Sequence, residues 1–241
     1  MRILYLTLLL VSFAAPVAEP AWARASKDDP DPNTLTEEEK KVGFKLLFDG
    51  KTTDGWRGFG KKEMPSGWQA VDGALTRVGG GGDIVTVDKY KNFEFVIQWK
   101  VSPGANSGIM YHVSEDEKAP YYTGPEYQIL DNARHADGRN PFTCAASCYA
   151  LYAPSKDVTR PVGEWNDTKI IVKGQHVEHW LNGEKVVEYE KGSDAWNDKV
   201  AKSKFNSMKN FGKTTEGHID LQDHGDQVWF RGIKIRVLPA E

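Results

Sequence analysis

Acidic and amide side chains occupy alternate positions in two short segments of the chain. Glu126 and Gln128 alternate with apolar residues in the first segment. In the second, Asp220 and Gln222 alternate with apolar residues, and His224 has the same parity. Because successive side chains of a β-strand point to opposite faces, each polar set shares one face. Carboxylates and amides match the donors and acceptors of sugar hydroxyls. The pattern therefore predicts a polyol-binding sheet face.

A third segment has the same alternation. Ile109 and Tyr111 are expected to face the core, and Met110 and His112 the opposite side. The ordinary alternative for all three segments is a half-exposed strand whose polar side chains only meet solvent. On that interpretation Asp220 is a solvated side chain rather than a catalytic one.

Aromatic residues offer stacking planes for a sugar ring, and Trp56, Trp68 and Trp165 are the candidates. The residue types also leave open a divalent metal bound by Glu126 with a histidine or aspartate, although no spacing requires one. The run Gly79–Gly82 is not a phosphate loop, because no Lys-Ser/Thr pair follows it. No organic cofactor is predicted.

Short strands separated by turn residues must position these side chains. Because strands and helices do not alternate, the fold class is all-β, an antiparallel β-sandwich or jelly roll. One helical insertion is expected over residues 193–209, and a change of parity around Gly232 predicts a β-bulge there. The predicted strands are Phe44–Phe48, a hairpin within Trp68–Val78, Ile84–Val87, Phe93–Val101, Gly108–Val113, Glu126–Leu130, Tyr149–Tyr152, Lys169–Lys173, Val177–Leu181, Lys185–Tyr189, Ile219–Leu221 and Val228–Val237.

Composition limits the class of protein. The 241 residues carry 31 Lys and Arg against 34 Asp and Glu, a net charge of −3 without a basic run, so a nucleic-acid partner is not expected. Residues 1–23 read as a signal peptide, with an apolar run too short to span a bilayer and an Ala21-Trp22-Ala23 exit. We expect an exported protein, periplasmic or secreted, with a flexible tether over 24–42 and a single domain over 43–241. A capping box at Thr36 predicts a short helix within the tether.

The two cysteines, Cys144 and Cys148, leave two alternatives open. On a straight strand their Cα atoms would lie roughly 13 Å apart, too far for a disulfide. A bend between them would allow the bond in an exported protein. Otherwise both are buried free thiols.

Several strings, in order, resemble the bacterial DUF1080 family, the 3-keto-disaccharide hydrolase domain. Together they cover about residues 44–238. They are Leu47–Lys51, Gly55-Trp56, Trp68–Gly73, Asn106–Ile109, Gly124–Gln128, Gly163–Asn166, His179–Gly183, Leu221–Gly225 and Phe230-Arg231.

The resemblance implies an exported enzyme with a concanavalin-like (laminin-G-like) jelly roll. Its expected substrate is a glycoside or disaccharide already oxidised to a ketone at C3. The ketone acidifies the C2 proton, so a base can remove it and the C1–O bond then breaks by elimination. Water adds afterwards, or the unsaturated sugar leaves.

Roles follow as hypotheses from this chemistry. Glu126 is the expected base, with its pKa raised by partial burial. His224 or His135 acts as the acid or as the partner of the enolate. The residues expected to hold hydroxyls, the carbonyl or other parts of the substrate are Asn106, His112, Gln128, Asp131, Tyr149, Trp165, Gln222 and Arg231.

Two other functions fit the same residues. Ordinary glycoside hydrolysis would use a carboxylate pair, for which Glu126 and Asp131 are the nearest candidates, although their strand parity differs. A lectin-like module would bind sugar without catalysis on the same fold.

Overall fold

Alternating burial shapes the longest strand of the molecule, as its sequence predicts. In the computed structural model, which describes residues 31–239, Phe93–Val101 alternates strictly between buried and half-buried positions. Its inward side chains, including Phe95 and Trp99, join one large hydrophobic core. The predicted signal peptide over 1–23 and the first part of the predicted tether lie outside the described residues.

Thirteen strands and two α-helices are found in the described part of the chain. A 3₁₀ turn at Lys204–Ser207 follows the second helix. The elements are α1 Glu37–Lys41, β1 Phe44–Leu46, β2 Trp56–Gly58, β3 Trp68–Val71, β4 Ala74–Arg77, β5 Ile84–Thr86, β6 Phe93–Val101, β7 Asn106–Val113, β8 Glu126–Leu130, β9 Asn166–Lys173, β10 His176–Leu181, β11 Glu184–Glu190, α2 Asp194–Ala201, β12 His218–Leu221 and β13 Val228–Val237.

The strands form two antiparallel sheets, which confirms the predicted sandwich. The eight-stranded sheet has the order β11-β10-β9-β6-β13-β4-β3, with β1 also paired to β13. The five-stranded sheet has the order β2-β5-β12-β7-β8. Side chains of both sheets meet in the core, where Thr168 Oγ1 of β9 donates to the Tyr127 hydroxyl of β8 at 2.8 Å.

Several local expectations are confirmed and others are wrong. The register of β13 shifts between Arg231 and Lys234, and Gly232 has φ +59°, as a bulge there predicts. Residues 149–152 form turns and isolated bridges instead of a strand. Trp56 and Trp68 are 4% and 2% exposed, so they belong to the core and cannot stack on a sugar. The expected helix over 193–209 ends early, at Ala201.

The segment before the first strand lies on the eight-stranded sheet. Asn33 is buried, donates to the Gly73 carbonyl at 2.8 Å and accepts from the Gly232 amide at 2.9 Å. Helix α1 has the capping box predicted at Thr36, and Glu39 pairs with Lys234 of β13 at 2.8 Å. Residues 31–42 of the predicted tether therefore have fixed contacts.

The structure decides between a disulfide and two free thiols. Cys144 and Cys148 are both buried and free. Burial raises the pKa of the Cys148 thiol to about 12, so this side chain stays protonated and packs as a small apolar group.

None of the helices within residues 31–239 has the length and apolar content needed to cross a membrane.

Replacing Asn33 by alanine should lower the free energy of unfolding by about 1–3 kcal/mol, because it leaves the buried Gly232 amide and the partly buried Gly73 carbonyl unpaired. Urea unfolding measures the change. The matched control is Asn210→Ala, which removes one exposed hydrogen bond to Glu117 and should change stability by less than about 0.5 kcal/mol. Equal losses in the two variants would contradict the bridging role of Asn33.

Candidate active site

Cross-strand register brings two acidic residues onto one row of the five-stranded sheet. Met110 of β7 pairs with Asp220 of β12 on one side and with Glu126 of β8 on the other. Residues that pair directly across antiparallel strands share a face. Ile109 and Tyr127, in the neighbouring row, point into the core, so Asp220, Met110 and Glu126 occupy the opposite face.

The next row on the same face contains the side-chain amides of Gln128 and Gln222, together with Gly108. Gly108 pairs with Gln128 across β7 and β8, and the backbone N–H of Gln222 donates to the Gly108 carbonyl at 3.0 Å. A Cβ at Gly108 would lie 2.4 Å from Glu126 Oε1. Any larger residue at position 108 would therefore displace the Glu126 carboxyl from its place over β7.

A cavity of about 400 Å³ opens over these rows. It gathers six of the residues predicted as site residues, namely Asn106, Glu126, Gln128, Tyr149, Gln222 and His224. Tyr121, Lys204 and Met208 complete its lining. His135 lies beside it, with its ring 6.4 Å from that of His224.

Two predicted residues lie away from this cavity because of local backbone geometry. At His112, φ is +55° and β12 shifts register, so the ring packs edge-on against Phe93. Asp131 accepts from the backbone amides of Gly104 and Ala133 and lines a different cavity. The carboxylate pair of Glu126 and Asp131 is thus not assembled.

Trp165 and Arg231 also lie apart from the cavity, on the other sheet. The guanidinium of Arg231 stacks 4.1 Å from the Trp165 ring centroid and donates to Gln98 Oε1 at 2.8 Å. Arg231 belongs to β13 and Gln98 to β6, both central strands of the eight-stranded sheet. The structure therefore does not bring these two predicted substrate contacts to the cavity, and the family strings contain no information about which sheet carries them.

Glu126 has the electrostatic properties expected of a proton-transfer group. It is 9% exposed, and burial, the largest cause, raises the pKa of its carboxyl to about 8. The charge of Lys204 lowers this pKa, and Asp83 and Asp137 raise it. At neutral pH Glu126 is mostly protonated yet close enough to its pKa to exchange a proton.

Asp220 corrects an expectation. It is fully buried rather than solvated, and neither carboxyl oxygen finds a hydrogen-bond partner among residues 31–239. Its cross-strand neighbours are the apolar residues Val85 and Met110. Burial, with the nearby charges of Asp83 and Glu126, raises the pKa of Asp220 well above its usual range, so its carboxyl is neutral.

Sequence reasoning also missed Asp83 and Lys204. Asp83 precedes β5 at the end of a glycine-rich loop, where strand parity gives no information, and burial raises its pKa to about 6. Lys204 follows α2, and its ammonium lies 4.1 Å from the Tyr149 ring centroid. Asp83 could have been noticed in the sequence because it directly precedes the apolar run of β5. No feature of the sequence indicates that Lys204 lies at the site.

Open amide acceptors face the same region. Asn106 Oδ1 and Gln222 Oε1 are buried and have no hydrogen-bond partner within the described part of the chain. Gln128, in contrast, uses its side chain on the Thr143 carbonyl and the Ile129 amide. Asn106 and Gln222 are therefore suited to accept from ligand hydroxyls, and Gln128 to hold the loop.

The divalent-metal site considered for Glu126 is not found among the described residues, and the candidate cluster of ligand atoms lies elsewhere. Among the described residues, the group of His176, Glu178 and Glu188 brings potential ligand atoms within 4.8 Å of one another. It lies on β10 and β11, and Lys185 pairs with both glutamates, at 3.3 and 2.7 Å. This ion-pair network explains the cluster, and Glu126 is not part of it.

Comparisons with known proteins show the family of this chain. A family model described as a 3-keto-alpha-glucoside-1,2-lyase-like domain matches residues 43–236. A 3-keto-disaccharide hydrolase of Bacteroides thetaiotaomicron is 40% identical over 228 residues, covering 81% of this chain and 79% of the relative.

Two solved structures extend the comparison. A candidate glycosyl hydrolase from Parabacteroides distasonis has a TM-score of 0.81 at 39% identity, covering 86% of this chain and 99% of its own. A Bacillus subtilis protein with a galectin-like fold has a TM-score of 0.51 at 14% identity, covering 77% and 90%, and shares the fold alone.

The raised pKa of Glu126 predicts a pH-dependent effect on stability. The folded chain holds this proton up to about pH 8 and the unfolded chain only to about 4.5, so the native state loses stability between these values. Glu126→Gln removes this loss. Its melting temperature relative to the unmodified protein should rise between pH 4 and pH 8.

Glu115→Gln is the matched control, with the opposite sign. Hydrogen bonds from Arg57 lower the pKa of Glu115 to about 2, so its contribution to stability is present above pH 4.5 and is lost as pH falls. This variant should be destabilised at pH 7 and approach the unmodified protein at pH 3. Parallel pH profiles of the two variants would refute the assignment.

Proposed function

This chain belongs to the 3-keto-alpha-glucoside-1,2-lyase-like family, and we propose that it cleaves 3-keto glycosides or disaccharides by elimination across C1 and C2. The observation that carries the proposal is the carboxyl of Glu126. It is buried, faces a cavity and has its pKa raised to about 8. Such a group can take a proton from carbon activated by a neighbouring ketone.

The proposed steps balance in atoms and charge. The Glu126 carboxylate takes the C2 proton, and the C2–H electrons form an enolate with the C3 ketone. The enolate then expels the C1 oxygen, which leaves as an alcohol after it gains a proton. Water adds across the resulting C1=C2 bond and gives the free 3-keto sugar.

Other cavity residues support these steps. The Lys204 ammonium is the cation that lines the cavity, and it can stabilise the negative charge that develops on the ketone oxygen. His224 is exposed at the cavity, where it can protonate the leaving oxygen. Asn106 and Gln222, whose acceptor oxygens have no partner among residues 31–239, fit the sugar hydroxyls.

The N-terminal sequence supports action outside the cytoplasm. Arg2, the short apolar run and Ala21-Trp22-Ala23 have the order of a cleavable signal peptide. Periplasmic or extracellular location is therefore part of the proposal.

The direct test incubates the protein with a 3-keto-glucoside and with its unoxidised parent and follows both by NMR. Cleavage of the keto form alone is expected, because only a C3 ketone acidifies the C2 proton. In deuterated water, deuterium should appear at C2. Cleavage of the parent would favour ordinary glycoside hydrolysis, and binding without turnover would favour a lectin; either outcome overturns the proposal.

Glu126→Gln should lower turnover of the keto substrate by about 100-fold or more, because it removes the base. Glu94→Gln is the matched control, a carboxylate that pairs with Arg236 on the other sheet. It should keep its activity. Circular dichroism checks that both variants fold, and full activity in folded Glu126→Gln removes this residue from the mechanism.

The rate should also depend on pH with a defined sign. A base with a pKa of about 8 is active only when deprotonated, so kcat/KM should rise about tenfold per pH unit below that value. Initial rates between pH 5 and pH 9 measure the slope. A rate that falls over this range would assign Glu126 as the acid instead.

A further inference from the structure

A second cavity, of about 500 Å³, lies beside helix α2. Its lining comes from α2, the turn after it, residues 208–215 and the ends of β9 and β11. It shares Met208 with the candidate active-site cavity but none of the residues given a chemical role there. It is a separate site.

The charge of this cavity is unusual for an acidic chain. Lys91, Lys191, Lys209 and Lys213 line it, and none of the described lining residues is aspartate or glutamate. The chain as a whole has a net charge of −3. Four ammonium groups without lining carboxylates give the cavity a positive potential, which attracts an anion.

Lys191 is the strongest single observation. It is 4% exposed, and its ammonium donates to His112 Nδ1 at 2.8 Å and to the Thr214 carbonyl at 2.7 Å. Both partners are neutral, since burial first, and then the charge of Lys191, lower the pKa of His112 to about 3. An ammonium has three protons, so one is left for a further acceptor. Buried lysines are normally paired with an anion.

The other lining residues indicate which chemical groups the ligand has besides its negative charge. The half-buried side chains of Val200 and Met208 provide apolar surface, and Gln175 and Asn206 provide amides. Apolar and amide groups together suit a ring that bears hydroxyls. The lysines suit a carboxylate attached to that ring.

We propose that this cavity binds a sugar acid, a pyranose that carries a carboxylate. Val200 and Met208 contact the apolar ring carbons, the amides bind hydroxyls, and the lysines bind the carboxylate. The site is distinct from the cavity over Glu126, and it does not depend on the function proposed there.

The probe for the test is glucuronic acid, with glucose as the neutral reference. Titration of the full mature chain, followed by amide NMR shifts, should show glucuronate binding with a Kd on the order of 1 mM. The shifts should centre on Gly174, Gly192 and Gly212, which line the cavity. Glucose should bind at least about tenfold more weakly, because it lacks the carboxylate.

The test variant is the double substitution Lys209→Gln and Lys213→Gln, which leaves the buried Lys191 in place. Both residues are exposed, so folding should be unaffected. Glucuronate binding should weaken about tenfold or more. The matched control, Lys62→Gln with Lys118→Gln, removes the same charge at exposed positions outside the cavity and should keep the affinity.

Four results would overturn the proposal. They are no binding of glucuronate, equal binding of glucose, equal loss in the two double variants, and shifts centred on the Glu126 cavity. Melting temperatures of the variants confirm that each comparison is made between folded proteins.

Discussion

The candidate site depends on keeping carboxyl groups away from water. Ionised carboxylates are stabilised by hydration, so burial without hydrogen bonds favours the neutral form. Asp220 is fully buried with no hydrogen bond to its carboxyl from residues 31–239, and Glu126 is 9% exposed. The charge of Glu126 also raises the pKa of Asp220, so Asp220 resists ionising while Glu126 is ionised. A proton is therefore held on this sheet face at neutral pH.

The sandwich maintains this arrangement through backbone register and one buried histidine. The segment after Cys144 pairs with β8, where the Ala146 amide donates to the Gln128 carbonyl at 2.8 Å and the Tyr149 amide to the Glu126 carbonyl at 3.0 Å. His179, on the opposite sheet, bonds the Ala146 carbonyl at 3.0 Å through Nδ1. Burial lowers the pKa of His179 to about 4, so the ring is neutral and Nδ1–H is the donor. The core between the sheets thus fixes the loop beside Glu126.

Strand alternation predicts the parts of the site that lie on regular strands. Glu126, Gln128 and Gln222 share the predicted face because β7, β8 and β12 keep their register there. The same reasoning fails for His112, where a register shift and a positive φ turn the ring into the core. For Asp220, strand alternation predicts the correct sheet face but not the burial of the side chain. Burial depends on which other residues cover that face, and alternation along one strand contains no information about them. Lys204 lies in the turn after α2, and no local sequence pattern predicts that this turn packs beside the cavity.

The apolar neighbours of Asp220 matter for the proposed chemistry as well as for packing. Elimination passes through an enolate, so negative charge appears on the substrate when Glu126 becomes neutral. A second ionised carboxylate on the same sheet face would oppose that charge. Val85 and Met110 flank Asp220 across the sheet and offer it no hydrogen bond, which keeps it protonated. In the proposed mechanism the Lys204 ammonium then stabilises the enolate without a competing anion at Asp220. A polar residue at position 110 would stabilise the Asp220 carboxylate and so oppose the step proposed for Glu126.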